Sequence, residues 1–227
     1  MRAFTVIDAP QRSAEWFAAR LGRVTASRAG DMLAQTAAQA KAGTWGADRK
    51  NLLMQLVLER LTGKAQERNY VSQAMQDGID REPDAVAIYE ALTGRLSVQT
   101  GFLSHISLMA GASLDGHVGD FEGIIEIKCP QPAAHADYLR SGVIPDRYLK
   151  QVIHGLWISG AQWCDWLSYQ PDFPDGLQVR LVRVNRDEQT IVNYEKQVRA
   201  FLAEVDHEEA ALRTMANPAA ALAKVGA

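Results

Sequence analysis

The feature that most constrains this chain is a pair of alternating apolar segments that meet at charged residues. Leu108, Ala110, Ala112 and Leu114 recur at every second position and stop at Asp115-Gly116, a dipeptide that favours a hairpin turn. Gly123-Ile124-Ile125-Glu126-Ile127-Lys128-Cys129 then runs to Pro130. Successive strand side chains point to opposite faces, so Glu126 and Lys128 share one face while Ile125, Ile127 and Cys129 share the other. With the turn inside residues 116–123, the two segments pair and set Asp115 beside Glu126. One alternative is an edge strand carrying a solvated Glu126–Lys128 pair, because such residues are seldom buried without a partner. The Asp-Gly turn and the second carboxylate favour the cluster. Crowded carboxylates repel unless a cation joins them, and an all-oxygen donor set selects Mg²⁺, with Mn²⁺ able to substitute. Lys128 could then orient or help deprotonate a water, or neutralise charge on a phosphoryl oxygen.

The rest of the chain is ordinary globular stock, 227 residues with 47% hydrophobic and 22% charged, enough for one well-filled core. It is expected to be a single domain over 1–227, with a basic, helical N-terminal part over 1–95, a sheet core over 96–185, and a helix and tail over 186–227. No apolar run approaches the ~20 residues of a membrane span and no signal-peptide core precedes Asp8, which predicts a cytoplasmic protein without a membrane partner. Cys129 and Cys164 fit a reducing compartment and have no zinc-type spacing. A net charge of −3 argues against a protein that coats nucleic acid. The distribution is uneven, however: residues 1–70 hold 11 Lys/Arg against 6 Asp/Glu, and residues 71–130 hold 3 against 9. A basic third beside an acidic middle suits phosphate contacts next to metal ligands.

In chain order, Ser13 caps a helix that carries Arg20 on its last turn and stops at Leu21-Gly22. Thr25 or Ser27 starts a second helix running to about residue 34. A helix start attracts anions, so Arg20 and Ser27 could hold a phosphate between a guanidinium and a hydroxyl, or could be a solvent-facing Arg and a cap. Residues 35–46 read as a mobile loop, and 48–61 as a helix stopped by Thr62-Gly63. Residues 69–80 begin a helical pattern that Pro83 should kink or restart, with Val86, Tyr89 and Leu92 buried beyond it and Thr93-Gly94 as the stop. Glu82 sits at that break. Strands are expected at 96–103, 108–114, 124–129, 163–169 and 177–184, and further helices at 133–142, 145–160 and 187–217, with a loosely held tail at 218–227. The order gives an α/β fold with a central mixed sheet of about five strands flanked by helices.

The Asp115, Glu126-x-Lys128 pattern resembles the PD-(D/E)xK nuclease superfamily, with Leu114 where a proline is common. Adding Trp16 through Arg20-Leu21-Gly22, Val24 to Ser27, Gly78-x-x-x-Glu82, Ser113-x-Asp115-Gly116, Cys129-Pro130, and Tyr148-x-x-Gln151 before Trp157, the chain resembles the lambda-type phage alkaline exonucleases over residues 13–185. That resemblance implies a restriction-endonuclease-like core. It implies Mg²⁺ held by Asp115, Glu126 and the carbonyl of Ile127, with Lys128, Glu82 and Gln151 completing the catalytic set. It assigns Arg20, Ser27 and Ser113 to a 5′-terminal phosphate. It further implies digestion of one strand of linear double-stranded DNA from the 5′ end to 5′-mononucleotides, a homotrimer, and a single-strand annealing protein as partner. Other readings are an endonuclease or junction resolvase on the same core, or an inactive module that binds DNA ends.

Overall fold

Extended backbone and helix alternate as the residue pattern requires, but the strands divide between two sheets. The computed structural model describes residues 2–66 and 72–216. The start of the helical pattern expected from residue 69, the last residue of the helix expected to reach 217, and the tail at 218–227 lie outside the described residues.

The second sheet carries the charged hairpin. Its strands β5 (Gly116–Val118), β6 (Gly123–Lys128), β7 (Trp163–Tyr169) and β8 (Val179–Asn185) are ordered β5-β6-β7-β8. β6 pairs antiparallel with β5 and parallel with β7. A parallel neighbour requires a crossover, here through α6 (Pro132–Ser141) and α7 (Asp146–Ser159). The other sheet contains β1 (Phe4–Ile7), β2 (Val24–Thr25), β3 (Phe102–His105) and β4 (Ala110–Ala112), ordered β1-β3-β4-β2. The mixed sheet flanked by helices holds as expected. The strand count differs, because β1, β2 and β5 are too short to announce themselves by period, and the expected pairing of residues 108–114 with 123–129 fails: β4 pairs with β3 and β2, while β5 takes the place beside β6.

α7 covers one face of β6, where Ile124 packs with Val152 and Leu156, and the other face packs Ile125 and Ile127 against Ala85 and Tyr89 of α5 (Gln73–Thr93). Gly155 lets α7 lie close, since a Cβ there would stand 2.9 Å from the Ile124 side chain. α5 runs through Pro83 as one helix, a correction to the expected restart. A helix-interior proline forgoes a hydrogen bond and costs about 3 kcal/mol, so tertiary packing must hold this helix. Ser72 caps its start by accepting from Met75 N at 3.2 Å. Near its end Tyr89 OH donates at 2.9 Å to Asp165, which Arg183 grips with two bonds of 2.7 Å.

Other expectations fail where packing overrides local pattern. Leu92, on the last turn of α5, is 62% exposed and Leu96 76% exposed, and the strand expected at 96–103 forms only at Phe102–His105. The expected loop at 35–46 contains a short helix, α3 (Ala37–Lys41), fixed by a reciprocal Thr36–Gln39 cap. The remaining helices are α1 (Ala14–Arg20), α2 (Ala29–Met32), α4 (Ala47–Thr62) and α8 (Glu188–Met215). Among the described residues, no helix is long and apolar enough to cross a membrane.

His154 ties the two sheets' shared core together. The Gly111 carbonyl of β4 can only accept, so His154 Nε2–H donates to it at 3.0 Å, and Nδ1 accepts from Tyr194 OH of α8 at 2.7 Å. Burial pushes this imidazole down from its ordinary 6.5 to about 3. A histidine held neutral in the fold adds stability above pH 6.5 that is lost as pH falls towards 3. The stability advantage of the wild type over His154→Gln should therefore shrink below pH 6.5 by up to about 1.4 kcal/mol per pH unit. Denaturant unfolding from pH 7.5 to 4 measures it, and a constant gap would show that His154 does not titrate this way.

Candidate active site

The hairpin register pairs Gly116 with Ile125, His117 with Ile124 and Val118 with Gly123. Residues 119–122 therefore make the turn, with Gly119 and Phe121 in the left-handed region at φ 58° and 61°. Gly123 is required at its foot because a Cβ would meet the Trp163 ring at 2.2 Å. Continuing the register by one residue sets Asp115 opposite Glu126, and Asp115 Oδ2 accepts from the Ile127 N–H at 2.6 Å. Glu126 is 5% exposed and its Oε1 accepts from the Lys128 ammonium, which also stands 5.2 Å from the centre of the Tyr148 ring of α7.

Burial dominates the electrostatics. It pushes Glu126 up to about 7, with Asp115 and Glu82 adding to the rise and Lys128 opposing it. Asp115 is raised by burial and restrained by Lys128, the Ile127 N–H and Arg12. Glu82, on α5, is raised by burial and then by Asp115. Burial disfavours the Lys128 ammonium, but Glu126 and Asp115 outweigh it and carry its pKa above the lysine range. Among the described residues, no three His, Cys, Asp or Glu side chains form a ready-made metal cluster. The local donors are two adjacent carboxylates, Asp115 and Glu126, both raised chiefly by burial, with Asp115 adding to the rise of Glu126.

Two residues before Asp115, Ser113 Oγ accepts from Trp16 Nε1 at 2.8 Å and from Arg20 Nη1 at 3.3 Å. The Arg20 guanidinium lies 4.1 Å from the Trp16 ring centre. Arg20 and Ser113 thus meet across 93 residues of sequence. Ser27 is exposed, with its Oγ 3.3 Å from Thr25 Oγ1. Thr25 stands at the cap position but its side chain bonds no helix N–H, because the segment opens as a 3-10 turn, Ala26–Arg28. Thr25 lines a small pocket with Arg20, Arg23 and Arg28.

Glu82 faces Arg12 at 4.0 Å. α5 approaches the end of β6 through Gly78, where a Cβ would lie 3.6 Å from the Cys129 carbonyl. Gln151 is half-buried on α7, one turn beyond Tyr148. Sequence reasoning missed Arg12 altogether, since a lone arginine in a loop carries no pattern. Trp16 and Tyr148 entered only as parts of the family pattern, with no role of their own, although each has a polar handle or a π face that a site can use.

The sequence matches the model of a YqaJ-like viral recombinase domain over residues 15–162. The structure is similar to an alkaline exonuclease, LHK-Exo, from Laribacter hongkongensis, at 39% identity and a TM-score of 0.80, covering 90% of this chain and 98% of that one. LHK-Exo in complex with dAMP gives 38% identity and a TM-score of 0.81 over 90% and 98% of the two chains. A phage-related exonuclease from Haemophilus somnus 129PT shares the fold, at 15% identity and a TM-score of 0.65 over 84% and 96%. No curated protein matches the sequence. With the family pattern spanning the site hairpin and a 39% identical homologue covering nearly all of the chain, the protein is an alkaline exonuclease homologue that belongs to the YqaJ-like viral recombinase family.

Proposed function

We propose that this protein is a divalent-metal-dependent exonuclease that digests one strand of linear double-stranded DNA from the 5′ end to 5′-mononucleotides, leaving a 3′ overhang for recombination. The observation that carries the reading is the Asp115 carboxylate bonded to the Ile127 N–H beside the buried Glu126–Lys128 pair. The dAMP bound in the LHK-Exo complex is a nucleotide of the expected product class.

Asp115, Glu126 and the Ile127 carbonyl would hold Mg²⁺, or Mn²⁺ in its place, which supplies water activation and charge neutralisation on the phosphoryl group. Lys128, kept cationic by its carboxylate neighbours, offsets the negative charge that grows on the phosphoryl oxygens during in-line attack. Glu82 adds a third carboxylate to the field around Asp115, and Gln151 offers an uncharged hydrogen-bonding side chain from α7. Arg20 and Ser113, with Ser27 from the adjoining turn, would hold the terminal 5′-phosphate. A terminal phosphate carries more charge than an internal diester, and a guanidinium fork suits it. The substrate's end and the attacked bond would then be fixed by one segment, residues 113–115. A homotrimer and a single-strand annealing partner, both implied by the family resemblance, complete the proposal.

End-labelled linear duplex incubated with Mg²⁺ should lose 5′ label first, and cleavage of closed-circular DNA would point instead to an endonuclease. Asp115→Asn, Glu126→Gln and Lys128→Ala should each lower turnover by at least about a hundredfold with the fold retained by circular dichroism. Near-normal turnover in any one would remove that residue from the mechanism. Chelation should abolish activity and Mg²⁺ or Mn²⁺ restore it; activity that persists after chelation, or that returns only with zinc, contradicts the oxygen donor set. Arg20→Ala should slow digestion of 5′-phosphorylated duplex by about tenfold or more while barely affecting a 5′-hydroxyl end. Equal slowing on both ends would reduce Arg20 to general affinity or packing.

A further inference from the structure

A cavity of about 730 Å³ opens at Glu82, lined among others by Gln11, Arg12, Ile79, Pro83 and Gln99. That volume falls within the ~300–1,000 Å³ of small-molecule sites. Arg20 and Ser113 are not part of its wall, so the cavity is distinct from the Arg20–Ser113 pair. Pro83 supplies no N–H to the Ile79 carbonyl, and both residues line this space.

Arg12 is the cation of this wall, and its backbone is unusual. Its φ of 70° lies in the left-handed region, uncommon for a residue with a side chain and persisting only where the surroundings enforce it. The enforcement is visible on both sides. Gln11 Nε2 donates to the Leu114 carbonyl at 3.1 Å, next to Asp115, and Ser13 N–H donates to the Pro10 carbonyl at 3.0 Å as it caps α1. The Arg12 side chain is 49% exposed and reaches Glu82 only at 4.0 Å. A half-exposed ion pair at that distance contributes little to folding, so pairing with Glu82 does not account for the enforced backbone. A guanidinium held at the mouth of a cavity, beside carboxylates that act on a phosphodiester, suits a phosphate.

On the basis of that nuclease activity, we propose that Arg12 is a second phosphate-binding residue, which grips a backbone phosphate of the DNA as the strand passes Glu82. The wild type and the variants Arg12→Gly and Arg12→Lys are compared on 5′-phosphorylated duplex with Mg²⁺, measuring kcat and KM at several salt concentrations. Glycine accepts φ 70° without strain, so Arg12→Gly removes the charge without threatening the fold. Arg12→Gly should raise KM by about tenfold, leave kcat within about twofold, and flatten the log–log salt dependence by about 0.9, one phosphate contact. Arg12→Lys should recover part of the affinity. Unchanged KM and salt slope in Arg12→Gly would overturn the proposal, as would a fall in kcat alone, which would mean that Arg12 acts only through Glu82. A wild type that fails to digest the duplex would instead sink the nuclease reading itself.

Discussion

Burying a charged group costs several kcal/mol unless hydrogen bonds or counter-charges replace the lost water, and this chain buries Glu126 on β6 between two half-buried charges, Asp115 and Lys128. The interaction that makes this possible is the bond from the Ile127 N–H to the Asp115 carboxylate, joined by the Glu126–Lys128 pair. It fixes the hairpin register, because a slip of one residue would send Glu126 and Lys128 to the apolar face that packs on Ala85 and Tyr89. The compensation is incomplete, and the raised pKa of Glu126 records the residue of unfavourable energy.

The surrounding elements hold the cluster from both faces. α5 carries Glu82 and is anchored by Tyr89 to the Asp165–Arg183 pair on β7 and β8. α7 brings the Tyr148 ring to Lys128 and is anchored by His154 to β4 and α8. Each anchor is a buried polar group with its partners satisfied, which gives a fixed geometry at the site that apolar packing alone would specify less sharply.

Residues 113–115 divide three tasks among neighbours. The Ser113 hydroxyl takes Trp16 and Arg20, the Leu114 carbonyl takes Gln11, and the Asp115 carboxylate takes the Ile127 N–H. These residues lie between β4 and β5, outside either strand, and each meets its partner through a different group, a hydroxyl, a backbone carbonyl or a carboxylate. The N-terminal segment is thereby fastened to the hairpin, and its arginines come within the same small region as the acids.

The alternation of 123–129, a reversal within 116–123 and the glycine stops at Gly63, Gly94, Gly142 and Gly160, all with positive φ, were legible because each rests on interactions within a few residues; the reversal itself falls at 119–122 and not at Asp115-Gly116. From them follow the hairpin, its register, the helix ends, and the convergence of Asp115, Glu126 and Lys128. The continuity of α5 through Pro83, the exposure of Leu92 and Leu96, the division of the strands into two sheets with β3 and β4 joined to β1 and β2, and the meeting of Arg12 with Glu82 and of Trp16 with Ser113 were not. Those depend on contacts between segments about 70 to 100 residues apart, whose energies exceed local preference and leave no mark on the spacing of residues. The sequence by itself determined where the acids and the lysine would gather; only the tertiary structure decided which cations and aromatic rings surround them, because a loop arginine or a core tryptophan acquires a role only from what the fold packs against it.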